Sequence, residues 1–226
     1  MTAKPIDRRM MFDLLIRFAL GLVFALSAGF YIRNGITAWN NVDPAHPQAH
    51  QVAHAVSVFA IALYTIMIAC LYIARLRPVS KFAGAIPCAA AILGGFLMSG
   101  LLFFSPREDL PLWALLVAAS LVIIGNIFTV VILLHLGRSF SILPEGRRLV
   151  TKGPYAVIRH PLYLAEAVGA LGAVINFLSP WALLLVGAQL ALQMVRIHYE
   201  EKVLHETFPE YHDYATRTWR LIPGVY

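Results

Sequence analysis

Residues 153–163, GPYAVIRHPLY, gather an arginine, a histidine, two prolines and two tyrosines in a chain otherwise dominated by apolar residues. Pro154 and Pro161 each remove a backbone donor and hold off regular helix between them. Gly153-Pro154 therefore reads as a turn. His160-Pro161 reads as the start of a helix, because proline suits the first helical turn. A helix N-terminus presents unpaired N–H groups and the positive end of the dipole, a ready place for a carboxylate or phosphate. Arg159 and His160 stand beside it. Tyr155 and Tyr163 add aromatic faces and hydroxyls suited to a purine, a sulfonium or an apolar chain end. A second polar group follows downstream, Arg196-Ile197-His198-Tyr199-Glu200-Glu201. Arg196 and Glu200 are one helical turn apart. They read either as a structural ion pair at a membrane boundary or as a pair gripping opposite charges on a zwitterionic ligand. Glu166 falls inside an apolar run, where an acid is a functional candidate by default.

The elements that must position these residues are membrane helices. The chain has 226 residues, 59% hydrophobic and 13% charged, where a soluble domain carries roughly 25% charged. Six apolar spans are expected, over 12–32, 52–74, 83–104, 110–134, 162–178 and 180–197. The last two are short and joined at Asn176-Phe177-Leu178-Ser179-Pro180, the pattern of a tight helical hairpin. Pro87 is a candidate kink in the third span. The expected fold is an all-α, multi-pass transmembrane bundle with a C-terminal cytoplasmic helix over HETFPEYHDYATRTWRLIP. It is read as one integral membrane domain over 1–226, with N-terminal helices in 1–108 and the catalytic core in 109–226. The first apolar run is too long for a signal peptide and lacks a cleavage site. Cys70 and Cys88 fall inside apolar runs and read as packing residues. No internal repeat stands out.

Net charge is +6. Placement separates a nucleic-acid surface from a membrane topology signal. Lys4, Arg8 and Arg9, then Arg75, Arg77 and Lys81, fall on one side of the expected membrane. Arg138, Arg147, Arg148, Lys152 and Arg159 fall there too, as do Arg196, Lys202, Arg217 and Arg220. Arg33 and Arg107 fall on the other. That bias places both termini in the cytoplasm, of a bacterial inner membrane by the chain's style, and argues against a nucleic-acid partner. Asp13 and Arg17 read as a local ion pair at the interface. His46, His50 and His54 have metal-compatible spacing but read as an interfacial polar loop, so no metal is expected. His135 stands where a histidine favours the end of the fourth span.

Spacing thus leads to a polar pocket at the cytoplasmic face, built from the end of span four, the start of span five and the exit of span six. The order Leu149-Val150-Thr151-x-Gly153-Pro154-Tyr155, Arg159-His160-Pro161-x-Tyr163, Arg196-x-x-x-Glu200-Glu201 and Phe208-Pro209-x-Tyr211-x-x-Tyr214, with a late Pro223, resembles the isoprenylcysteine carboxyl methyltransferase family. Phospholipid methyltransferases share much of it. The resemblance covers the C-terminal part of the chain. It implies a multi-pass membrane enzyme using S-adenosylmethionine without a Rossmann domain. Tyr155, His160, Pro161, Leu162 and Tyr163 would line the cofactor site, with Glu200 also in contact and Leu149 and Val150 contributing backbone. Arg196 would face the methyl acceptor. Arg147 stands where the family often has histidine, and a glutamine of some members has no match around Arg138-Ser139-Phe140.

The expected acceptor is a lipophilic small molecule or a membrane lipid, with no obligate protein partner. A prenylcysteine-type carboxylate needs no base and would be oriented by Arg196. A lipid amine would need one, for which Glu166 or Glu201 is available. A competing resemblance is to membrane sterol reductases, which use NADPH and share the arginine-histidine-proline stretch. Pro223-Gly224-Val225-Tyr226 fits their ending.

Overall fold

The computed structural model describes residues 8–46, 49–80, 83–104, 107 and 109–226. All regular structure among them is helical. Seven α-helices follow one another: α1 (Arg8–Asn40), α2 (Ala49–Ala74), α3 (Ala85–Phe96), α4 (Leu112–Leu136), α5 (Pro161–Phe177), α6 (Pro180–Thr207) and α7 (Tyr211–Arg217). Contacts divide the chain into two compact units, Met1–Arg77 and Pro78–Tyr226.

Three helical stretches, Met11–Asn40, Leu112–Ser139 and Pro180–Thr207, are long and apolar enough to cross a membrane, and Val58–Ala74, Ala85–Leu101 and Pro161–Phe177 are shorter apolar helices. Their exposed faces are apolar as well. Phe18, Leu22, Leu26 and Phe30 recur at helical spacing on α1, all exposed. Leu116, Ile123, Ile127 and Leu134 do the same on α4. Contiguous exposed apolar surface of this extent fits lipid as its solvent. The chain is an integral membrane protein, as its composition predicts.

In the first unit α1 and α2 form an antiparallel hairpin. Phe24 stacks on Tyr72 at 6.1 Å. At the open end Arg75 donates to Asp13 Oδ1 at 2.8 Å, and Arg17 donates to Asp13 Oδ2 at 3.2 Å and to the Arg75 carbonyl at 3.0 Å. The Asp13–Arg17 pair is thus part of a triad, and its third member lies 62 positions away from Asp13. Cys70 faces outward on α2 and does not pack inside the hairpin, while Cys88 on α3 is half-buried; neither is in a disulfide. His46 is exposed, 3.7 Å from Asp43. The side chains of His50 and His54 lie outside the described residues, as do Lys4 and Lys81. Among the described residues no group of three potential ligands is gathered for a metal.

In the second unit the third apolar span breaks in two. Pro87 stands in the first turn of α3, where its missing N–H has no helical partner to lose. The helix changes to 3₁₀ geometry over Leu97–Phe103, just after Gly94 and Gly95, residues that weaken a helix. Helices α4 and α5 cross so closely that a Cβ on Gly125 would lie 2.6 Å from the Gly169 nitrogen, and one on Gly172 would lie 2.7 Å from the Ala118 carbonyl oxygen. Small residues permit such contact between membrane helices.

The α5–α6 hairpin forms at the expected place. Leu178 adopts a left-handed conformation, φ 38°, and its N–H returns to the Val174 carbonyl. Ser179 then caps α6 by accepting from the Ala182 N–H at 3.1 Å, and Pro180 takes the first turn. Leu101, Ala170, Val174, Ala182 and Val186 form the apolar core beneath. With 17 residues α5 is about 26 Å long, short of a hydrocarbon core of about 30 Å. With 28 residues α6 is about 42 Å long and continues ten residues past the expected limit of 197. Arg196, Glu200 and Glu201 therefore sit on one continuous rod.

The C-terminal segment departs from a single amphipathic helix. Pro209 follows the end of α6, α7 has only seven residues, and the chain then turns back in extended and turn conformations.

Candidate active site

The loop between α4 and α5 is tied at each turn. Gly137 ends α4 at φ 51°. Gly153, at φ 63°, opens a 3₁₀ turn over Gly153–Ala156. Its missing side chain matters twice, since a Cβ there would also strike the His135 ring. The His135 Nδ1 is 2.8 Å from the Val131 carbonyl, one turn back, which steadies that ring.

The end of the loop pairs with the C-terminal segment. Ile158 and Trp219 form a parallel bridge. The Arg159 N–H donates to the Trp219 carbonyl at 2.8 Å and the His160 N–H to the Arg220 carbonyl at 3.1 Å. Tyr214 adds a hydroxyl bond to the Tyr155 carbonyl at 2.7 Å. Pro161 then begins α5, as its position before the apolar run predicts.

Side chains from the loop, α5 and α6 converge. The buried Tyr163 donates from its hydroxyl to Glu200 Oε1. Its ring lies beside His160, with centroids 5.7 Å apart, and under the Arg196 guanidinium, 4.8 Å from the ring centroid. Such contact orients a guanidinium without neutralising it. Gly94 of α3 admits the same arginine: a Cβ there would be 3.0 Å from Arg196 Cδ. His160 is held between two acids, Nε2 at 3.3 Å from Glu201 and Nδ1 at 4.0 Å from Glu200.

Glu201 is a hub. Besides His160, it receives Arg159 Nε at 2.8 Å and Arg220 Nη2 at 2.5 Å. Arg159 also donates to the Ala215 carbonyl at 2.7 Å and to the Thr218 carbonyl. This network locks the C-terminal segment onto α6. Glu166 is engaged elsewhere, accepting from Gln193 Nε2 at 3.1 Å.

These elements line a cleft of about 120 Å³ that opens to the surface. Leu149, Val150, Tyr155, Arg159, His160 and Leu162 all line it. So do Tyr163, Arg196 and Glu200. Pro161 acts by starting α5, and Glu166 and Glu201 are not among the lining residues. Ser141 and Glu145 line the cleft without having been singled out from the sequence, and Arg148, Tyr211 and Tyr214 line it although the motif reading assigns them no place in the site. The phenylalanine-proline-x-tyrosine pattern marks the two tyrosines, and the amphipathic C-terminal segment is expected to close the pocket; α7 supplies both tyrosines to the cleft lining.

The cleft's tyrosines outside the membrane helices stay neutral. Burial, with Glu200 and Tyr214 adding to it, pushes the Tyr155 phenol far up. Burial and then Glu201 do the same to Tyr211. Tyr214 is pushed up to about 12 by burial, with Arg159 pulling the other way. They offer aromatic faces and hydroxyl donors, and no phenolate.

The donor set fits an adenosyl amino acid. Arginines stand ready for a carboxylate, two acids for an ammonium and hydroxyls, and tyrosine faces for a purine and a sulfonium.

Comparison with known proteins bears on the family. Residues 113–211 match the phospholipid methyltransferase family model. The chain is 35% identical over 136 residues to the cobalt-zinc-cadmium resistance protein CzcN of Cupriavidus metallidurans, covering 58% of this chain and 60% of that protein. It is 39% identical over 83 residues to the nickel-cobalt-cadmium resistance protein NccN of Alcaligenes xylosoxydans xylosoxydans, covering 36% and 38%. It is 30% identical over 113 residues to protein-S-isoprenylcysteine O-methyltransferase B of Arabidopsis thaliana, covering 47% and 57%. The matches thus span 38% to 60% of these relatives' lengths. The comparisons thus agree with the resemblance read in the motifs: residues 113–211, which supply α4, α5, α6 and most of the cleft, match the phospholipid methyltransferase family model.

Proposed function

We propose that this chain is an S-adenosylmethionine-dependent integral membrane methyltransferase acting on a lipophilic acceptor at the cytoplasmic face of a bacterial inner membrane. The observation that carries it is the convergence of the 149–163 loop, the exit of α6 and α7 on one cleft with charges of both signs and several tyrosine faces. When bound, the cofactor supplies an electrophilic methyl group on sulfur. The protein's part is alignment and exclusion of water, because in-line displacement at a sulfonium needs no covalent nucleophile from the enzyme. Arg148 and Arg159 attract the cofactor's carboxylate. Tyr155, Tyr211 and Tyr214 enclose its adenosyl part. Glu200, held by Tyr163, faces its positive charge. Arg196, fixed over Tyr163, presents its guanidinium to the acceptor.

The acceptor that suits this arrangement arrives as an anion, a prenylcysteine-type carboxylate being the type case. An ammonium head group would need a base in the cleft. Glu166 is bonded to Gln193 and is not among the residues that line the cleft, and Glu201 is shared among three cationic or cationisable groups. Neither is placed to take the proton. The sterol reductase alternative gains nothing from the relatives named above.

Purified protein titrated with S-adenosylhomocysteine should show raised thermal stability through ligand linkage. Stabilisation by NADPH without any by S-adenosylhomocysteine would remove the methyltransferase reading.

A further inference from the structure

One corner of the cleft is not accounted for by the resemblance. Glu145 and Ser141 belong to no part of the motif pattern, and Arg147 replaces its usual histidine, yet all three line the cleft. Arg147 Nη2 donates to Glu145 Oε2 at 2.5 Å, and Ser141 Oγ donates to the same oxygen at 3.1 Å. The Arg147 side chain is fully buried. None of the described hydrogen bonds reaches Glu145 Oε1. An ionised carboxylate has about four acceptor positions, so this one retains capacity for a ligand.

The corner is also rigid. The Gly146 carbonyl accepts from the Val79 N–H at 2.8 Å and the Ser80 N–H at 3.2 Å. The Gly146 N–H donates to Ser80 Oγ at 2.9 Å. A Cβ on Gly146 would lie 3.1 Å from the Phe208 ring and from Thr207 Cγ2, so a side chain there would push the end of α6 aside by a few tenths of an ångström. A carboxylate held this way binds without an ordering cost.

Its charge state selects the ligand group. Arg147 already compensates Glu145, so the pair offers acceptor oxygens with no net charge. Ammonium groups gain more from an uncompensated acid. Neutral donors in a pair, such as the vicinal hydroxyls of a ribose, suit a compensated one.

Resting on the proposed cofactor, we infer that Glu145 accepts the ribose hydroxyls of the adenosyl ligand, with Arg147 and Ser141 as positioning residues that turn its carboxylate toward them. The test is calorimetric binding to the full chain in detergent. The probes are S-adenosylhomocysteine and its analogue lacking both ribose hydroxyls. Wild-type protein should bind the analogue about 10- to 100-fold more weakly. Glu145→Gln should weaken S-adenosylhomocysteine by a similar factor and leave the analogue's affinity unchanged. Ser141→Ala should give a smaller loss confined to the hydroxyl-bearing ligand. Equal weakening of both ligands in Glu145→Gln, or of neither, overturns the assignment. If Glu145→Gln does not fold, the wild-type pair and Ser141→Ala decide: hydroxyl-independent binding by wild type overturns it alone. Failure of wild type to bind S-adenosylhomocysteine at all overturns both this assignment and the methyltransferase reading.

Discussion

Replacing Gly125 by alanine tests whether the close crossing of α4 and α5 sets the cleft. The added Cβ would lie 2.6 Å from the Gly169 nitrogen, 2.8 Å from its Cα and 2.9 Å from the Ala165 carbonyl oxygen. All three are backbone atoms, so no side chain can swing aside. Ordinary contact begins near 3.4 Å, which requires the helices to part by about 0.8 Å. Overpacking of this kind costs about 1–3 kcal/mol, offset by up to about 1 kcal/mol of helix propensity. The net loss of up to about 2 kcal/mol corresponds to a Tm lower by up to about 8 °C. Because α5 also carries Tyr163, the shift reaches its bond to Glu200 and the seat of Arg196. A misplacement near 1 Å can lower turnover by about 100-fold. Gly187→Ala is the matched control, since nothing lies within 4 Å of where its Cβ would stand. It should leave Tm unchanged or slightly raised. Thermal unfolding in detergent, with methyl transfer from labelled cofactor, reads both effects. If Gly125→Ala matches wild type in both, the crossing is not what holds α5 in register.

Arg196→Ala should spare S-adenosylhomocysteine binding while turnover falls at least about 100-fold; equal loss of both would move Arg196 to the cofactor. Glu201→Ala should release the C-terminal segment, because Arg159, His160 and Arg220 all lose a partner, and cleavage after Arg217 or Arg220 by trypsin should accelerate; an unchanged digestion rate would refute the hub. At high pH the folded protein should keep the Tyr214 phenol protonated up to about 12. The folded value is raised above the ordinary 10.0, so the unfolded state sheds its proton first. The stability that this tyrosine contributes is then whole below about pH 10 and lost on the way to about pH 12. Ultraviolet titration of wild type against Tyr214→Phe should show one fewer late phenolate in the variant, and a difference appearing already near pH 10 would contradict the burial.

What the sequence made legible was local chemistry. Gly153-Pro154, His160-Pro161 and Leu178-Ser179-Pro180 each carry their own conformational instruction, and each lies where its residue types place it. The charged groups of α6 and the loop before α5 could be foreseen to meet because both fall at the same end of neighbouring spans. Partnerships across long separations were not legible. Nothing near Asp13 points to Arg75, and nothing near Glu201 points to Arg220. The C-terminal pattern reads as one amphipathic helix because aromatic and charged residues alternate through it. The paired backbone of Trp219 and Arg220 with 157–160 overrides that periodicity. Glu145 escaped notice because a single acid in a loop has no spacing to read.

The length of α6 has a consequence for where its charged groups stand in a membrane. A rod of about 42 Å outreaches the hydrocarbon layer by about 12 Å, or eight residues. Counted from Pro180 at one surface of that layer, its other surface falls close to Glu200. Lipids with longer acyl tails would draw that acid inward, and shorter ones would lift Arg196 into the headgroups or force the rod to tilt. Membrane composition then becomes a control on the cleft, set by where one helix leaves the oil.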